Sequence, residues 1–137
     1  NEIGNGTWSR RHARAISAAT LRSELRKTTH AIASAARVKP CASRPPYREL
    51  VERHVGVSRR LGMATALWSV DPRDNAQRSP ATLASRVLED VRPGSVIALH
   101  DGGGDRWVTV QALEQILIGL ERRGYSTVTL SQLGGTS

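Results

Sequence analysis

The sequence predicts an α/β fold in which parallel strands are flanked by outer helices, and three observations carry that expectation. Strand-like and helix-like segments alternate along the 137 residues, four pairs followed by a closing strand, the order that parallel sheets with crossover helices require. Ser95-Val96-Ile97-Ala98-Leu99 is a short apolar run entered through Arg92-Pro93-Gly94 and left through His100, Asp101 and three glycines, which reads as a fully buried strand. Polar and titratable residues follow each expected strand, at the edge where α/β folds build their sites.

In chain order, Glu2 to Ser9 reads as a strand running into a loop. Ile16 and Ser17 then form a hydrophobic staple and an N-cap. Leu21, Leu25, Thr28, Ile32 and Ala35 follow at helical spacing, and Val38-Lys39-Pro40 closes that helix. Cys41-Ala42-Ser43 is expected as a second strand, ended by Arg44-Pro45-Pro46-Tyr47, whose double proline excludes helix. A helix is expected over about Glu49 to Leu61, with Leu50, Val51, His54, Val55 and Leu61 inside and Gly62 as its terminating residue. Ala64 to Val70 reads as the third strand and Asp71 to Asn75 as a loop. Pro80 to Val91 should be helical, and then comes the strand ending at His100. Val110, Leu113, Ile116, Leu117 and Leu120 mark a further helix, capped by Thr109 or a close neighbour and ended by Gly124. Tyr125 to Leu130 is the expected last strand.

Composition narrows the functional classes. No run approaches the length of a membrane span, and Asn1 to Gly6 reads as the interior of a domain, not a signal peptide. The single cysteine, Cys41, excludes an intrachain disulfide and a cysteine-based zinc cluster. The net charge is +8 and is carried almost wholly by arginine, since Lys27 and Lys39 are the only lysines. Such charge admits a nucleic-acid-binding domain. The arginines, however, are spread along helical segments with few aromatics for base stacking, so solvated helix faces are the better reading.

The chemistry should gather where the expected strands end: Thr7, Trp8, Ser9 and Arg10; Arg44 and Tyr47; Asp71 and Asp74; His100 and Asp101. A histidine oriented by an aspartate is a general-acid candidate, because the carboxylate fixes the imidazole and favours its protonated form. Each residue also has a plainer reading: Arg44 as a surface ion pair, Asp74 as a turn residue, Tyr47 as rim packing, and His100 as a strand cap. Their convergence on one edge favours a site.

Glu2-Ile3-Gly4-Asn5-Gly6-Thr7-Trp8-Ser9, Arg44-Pro45-Pro46-Tyr47, Trp68-Ser69-Val70-Asp71-Pro72-Arg73-Asp74, Leu99-His100-Asp101 and the stretch from Gly124 to Leu133 resemble, in order, motifs of the polysaccharide deacetylase family. This is the NodB-homology domain of carbohydrate esterase family 4. The resemblance covers essentially the whole chain. It implies a single domain over residues 1–137, a partial (β/α) barrel of the NodB type lacking its N-terminal strand–helix units. The activity it implies is removal of acetyl groups from N-acetylglucosamine polymers such as chitin or peptidoglycan, by proteins that are commonly secreted or wall-associated. It also implies a divalent metal, zinc or cobalt, that polarises the acetyl carbonyl and activates water. Carried over by motif, His100 would be the general acid, Asp74 would orient it and Arg44 would hold the catalytic base. Leu99 would line the acetate pocket, and the Tyr47 backbone N–H would stabilise the oxyanion.

The departures from the family pattern matter as much. The metal-binding motif His-Thr/Ser-x-x-His is matched by Gly6-Thr7-Trp8-Ser9-Arg10, so both histidines are replaced. Glycine offers no ligand, and arginine cannot be deprotonated to become one. The Asp-Asp motif that supplies the base and third ligand would lie upstream of residue 1. Asn75 stands in place of a groove-lining Trp, Arg48 in place of Gly, and Ser43 in place of an aromatic. His12 lies two positions beyond the second replaced ligand, a register shift too large for it to substitute. The chain is therefore expected to be impaired or inactive and to hold no metal of its own; either the sequence is a fragment of a longer protein, or a second chain or a rearrangement covers the open barrel edge. The alternative is a non-catalytic carbohydrate-binding remnant that uses Trp8, Tyr47 and Trp68 as sugar platforms.

Overall fold

The structure is a computed structural model and describes residues 1–135. The chain forms two compact units. The first comprises Asn1–Leu67 together with the C-terminal residues from Thr129, and the second is Trp68–Val128.

In the first unit, helix α1 runs Ala18–Ala36 and helix α2 Glu52–Arg60, against two parallel strands, β1 (Ala42–Ser43) and β2 (Ala64–Thr65). The start of α1 follows from sequence, since the Ser17 side chain accepts from the Thr20 backbone N–H. Leu21 and Leu25 turn inward to meet Ile16, Val57 and Met63 in a buried cluster. Thr28 and Ile32 are half-buried and Ala35 is exposed, so the stripe faces the core only over the first half of the helix. At the far end Arg37 is left-handed (φ 57°), its N–H donating to Ala33 O. A side chain costs about 1 kcal/mol in that conformation and glycine costs little. Arg37→Gly is therefore expected to raise stability by about 0.5–1 kcal/mol, read as a higher urea midpoint at unchanged slope.

The expected helix over Glu49–Leu61 begins later, at Glu52, because Pro46–Arg48 first makes a tight 3-10 turn. Its buried residues are His54, Val57 and Ser58, while Leu50 and Val55 are exposed. Polar residues could turn inward there because Ser43 Oγ hydrogen-bonds both Ser58 Oγ (2.7 Å) and His54 Nε2 (3.2 Å). Gly62 ends the helix with φ 75°, as its position suggests. The expected strand over Glu2–Ser9 reduces to one parallel bridge, Asn5 with Ser43. Glycines on both sides of Asn5 and a left-handed Thr7 (φ 67°) interrupt the pleat.

The second unit is built on helix α3 (Pro80–Asp90) and helix α4 (Trp107–Arg122). Leu83, Ala84, Val87 and Val91 pack against Ala112, Ile116 and Leu120. Gly119 lets the helices approach closely, since a Cβ there would lie 2.5 Å from Leu88 Cδ1. Sequence spacing puts Val110, Leu113 and Leu117 inside, but all three are exposed. The helix is turned so that Thr109, Ala112, Ile116 and Leu120 face inward. Arg106, not Thr109, precedes the first turn.

The expected strand Ala64–Val70 is split: β2 covers Ala64–Thr65, and Val70 makes a separate parallel bridge with Ile97. That bridge is all the ladder formed by Ser95–His100. The run is not fully buried: Ala98 is buried, Ile97 and Leu99 rest half-buried on the α3–α4 core, and His100 is exposed. Tyr125–Leu130 forms no strand among the described residues. Tyr125 packs on the core while Ser126, Thr127 and Val128 are exposed. Thr129 and Gln132 then make a capping box that opens a short helix α5 (Leu130–Leu133). Every pairing that forms among the described residues is parallel. No helix among the described residues is long and apolar enough to cross a membrane.

Candidate functional site

The second unit brings together two residues the sequence singled out. Val70 pairs with Ile97, the chain turns through Asp71–Arg73, and the 3-10 turn Asp74–Ala76 places the Asp74 carboxylate under His100. Asp74 Oδ1 lies 2.7 Å from His100 Nδ1, while Oδ2 accepts from the His100 backbone N–H (2.7 Å) and from Thr109 Oγ1 (3.0 Å). The carboxylate is 1% exposed and the imidazole 45%. Burial pushes the Asp74 carboxyl up, but the hydrogen bonds from the His100 ring, the His100 backbone and Thr109 outweigh it and hold the pKa below its usual value. An ionised carboxylate can only accept. His100 Nδ1 must therefore carry the proton in this contact, which leaves Nε2 at the outer edge of the ring. The result is a fixed imidazole with one nitrogen available to a ligand.

Thr109 is the member that sequence reasoning missed. Read as a helix cap, it serves as a buried donor to Asp74, and no spacing signal links a threonine to an aspartate 35 residues earlier. Leu99 packs half-buried against the α3–α4 core. Trp68 is half-buried, its Nε1–H donating to Asp71 Oδ2 at 3.1 Å. Asn75 is exposed beside Asp74.

Arg44 and Tyr47 belong to the first unit. Arg44 follows β1, its backbone N–H donating to Asn5 O at 2.9 Å, and its side chain is exposed. Tyr47 is 59% exposed. Its ring stacks on His12 at 4.3 Å between centroids and 19° between planes, and His12 Nδ1 lies 2.7 Å from Glu49 Oε1. The hydrogen bond from His12 holds the Glu49 carboxyl below its usual pKa. Tyr47 and Arg48 are consecutively left-handed (φ 56° and 59°), the conformation that costs glycine least.

The segment matching the metal motif is a pinned loop. Asn5 is fully buried and donates from Nδ2 to Leu25 O (2.8 Å) and Thr29 Oγ1 (3.0 Å), while its Oδ1 accepts from Thr7 N–H (2.9 Å). Ser9 donates from both its N–H and its hydroxyl to Glu24 Oε2 (2.7 and 2.8 Å). Burial raises the Glu24 carboxyl and the bonds from Ser9 more than reverse that, so its pKa is lowered. Trp8 is 49% exposed, with Lys27 Nζ 4.1 Å from its ring centroid. Thr7 and Arg10 are left-handed (φ 67° and 52°). The donor set does not fit a metal. Gly6 has no side chain, Arg10 is a permanent cation, and among the described residues no group of three or more His, Cys, Asp or Glu could hold one.

The family model described as polysaccharide deacetylase matches residues 1–66. A chitooligosaccharide deacetylase of Bradyrhizobium sp. (strain ANU 289) is 32% identical over 145 aligned positions, covering 97% of this chain and 66% of its own length. Among solved structures, a peptidoglycan N-acetylglucosamine deacetylase superposes over the whole chain with a TM-score of 0.94 at 31% identity, 64% of its length being covered. A CE4 family pseudoenzyme from Bacillus anthracis superposes with a TM-score of 0.89 at 26% identity, over 96% of this chain and 46% of its own. A mutant described as a CE4 family pseudoenzyme with restored enzymatic activity gives 0.90. The chain spans about half the length of the curated relatives it matches. The NodB-type (β/α) barrel expected from sequence is thus the fold these neighbours share.

Proposed function

Because the chain belongs to the polysaccharide deacetylase family, we propose that it is a deacetylase-like domain directed at N-acetylglucosamine polymers, carrying the acid half of a hydrolytic site and not the metal half. The observation that carries this reading is the His100–Asp74 pair at 2.7 Å, backed by Thr109. When doubly protonated, His100 is held by the buried carboxylate and can donate from Nε2 to the nitrogen of a departing amine. Arg44, Tyr47 and Leu99 are assigned by motif to the base, the oxyanion and the acetate pocket. In the family the metal supplies the polarised carbonyl and the activated water. Gly6 and Arg10 cannot hold that metal, so this chain's residues bind and orient a saccharide without supplying the hydrolytic step.

The test is acetate release from chitotetraose by the purified chain, with and without added zinc or cobalt, with circular dichroism as the folding control. No metal-dependent release from folded protein is expected. Release that depends on metal and disappears in His100→Ala would overturn the proposal. A second reading, a purely carbohydrate-binding domain, is favoured by the exposure of Tyr47 and Trp8 (59% and 49%), since each ring offers its uncovered face to a sugar. Binding of chitotetraose that survives His100→Ala but is weakened in Tyr47→Ala would select it.

A further inference from the structure

We propose that the loop Gly6–Arg10 is a carboxylate-binding site, in which the Arg10 guanidinium lies beside the side-chain space that Gly6 leaves open. The position of a Cβ on Gly6 would be 4.0 Å from an Arg10 terminal nitrogen, with no other group nearer. The guanidinium therefore folds back over the start of its own loop. Arg10 is exposed and has no carboxylate partner among the described residues.

The loop that places it is over-determined. Asn5 pins one end and Ser9 the other, through five hydrogen bonds between 2.7 and 3.0 Å. Between them Thr7, a β-branched residue, is held at φ 67°, and its buried hydroxyl finds no partner. A left-handed threonine and an orphaned hydroxyl are each unfavourable. Backbone strain of this kind persists where the surroundings impose it, commonly at ligand sites. The loop is thus a rigid mount that presents one planar, permanently charged fork beside an empty side-chain position. A guanidinium fork matches a carboxylate with two parallel hydrogen bonds. The ligand class is a carboxylate-bearing saccharide, the carboxylate being the group that this loop recognises.

This inference rests on the reading that the loop holds no metal, and its test is separate from acetate release. The full chain, labelled with nitrogen-15, is titrated with glucuronate and, in parallel, with glucose, which lacks the carboxylate. Glucuronate is expected to shift the amide signals of Gly6, Thr7 and Arg10, and glucose to leave them in place. Arg10→Ala should weaken glucuronate binding about tenfold, Arg10→Lys should fall between, and Arg86→Ala, on α3, should bind as wild type. Equal shifts with glucose, undiminished binding in Arg10→Ala, or an equal loss in Arg86→Ala would each overturn the proposal. So would zinc moving the same three amides, since the loop would then be a metal site.

Discussion

Asp74→Ala is expected to cost about 3 kcal/mol of folding stability, one of the two largest effects of a single polar substitution in this chain. The carboxylate accepts from three donors while 1% exposed. Its removal leaves the Thr109 hydroxyl buried without an acceptor and frees the His100 backbone, and truncating one side of a buried charged network costs about that much. Urea denaturation measures the loss, and a cost under 1 kcal/mol would mean the network is slack. Asp74→Asn keeps the shape but turns an N–H toward one of the donors, so it should recover only part of the stability. A second readout separates orientation from stability. In the wild type the neutral His100 imidazole carries its proton on Nδ1, and in Asp74→Ala it should revert to the Nε2 tautomer that free imidazole prefers, seen in the ring nitrogen shifts. The pH dependence follows from the same bonds. The Asp74 pKa is lowered on folding, so its contribution is complete above the unfolded value near about 3.9 and is lost as the pH falls below it. Asp74→Ala should lack this acid-dependent arm. Buried His54 acts in an earlier window. Burial lowers its pKa, so stability is complete above about 6.5 and declines as the pH drops below that value, a decline that Asp74→Ala should retain.

Asn5→Ala is expected to cost about 2–3 kcal/mol. Its amide is fully buried and joins Leu25 O, Thr29 Oγ1 and the Thr7 N–H, so truncation removes three hydrogen bonds and leaves a void. Asn5→Asp sharpens the test. A carboxylate there would set an acceptor against Leu25 O, so the variant should be at least as damaged at neutral pH and should partly recover below about pH 4, where a protonated carboxyl can donate. Thermal or urea melts of the two variants at pH 7 and pH 4 decide it. An Asp variant with no pH recovery would show that the amide's donor role had been misassigned.

Much of this was legible from local chemistry. Ser17 starts α1, Gly62 and Gly124 end α2 and α4, and Pro80 opens α3, because caps and turn residues act through bonds only a few positions long. His100 and Asp74 were legible through motif order, and the structure joins them. The strands were less so. A run such as Ser95–His100 has strand chemistry, but how much ladder it forms depends on the neighbours offered to it, and Val70 offers one bridge. The inward face of α4 was misread because Val110, Leu113 and Leu117 have the same spacing as the residues that are buried. Apolar period alone cannot say which of two stripes turns toward a partner helix. Thr109 and the folded-back Arg10 were invisible for a related reason: each matters through a distance across space that no periodicity encodes.

The first unit is discontinuous in the chain, and that sets an order of events during synthesis. It is formed by residues up to Leu67 and resumes at Thr129, where Ser131 N–H donates to Glu2 Oε2 at 3.2 Å and Ser131 Oγ approaches Cys41 Sγ at 3.4 Å. A ribosome adding about 5–20 residues per second needs about 3–12 s to pass through the intervening second unit. During that interval a nascent chain carries β1, β2, α1 and α2 with Glu2 still unlatched, while α3 and α4 can already assemble from a continuous stretch. Completion of the earlier-translated unit therefore waits on its last few residues to emerge.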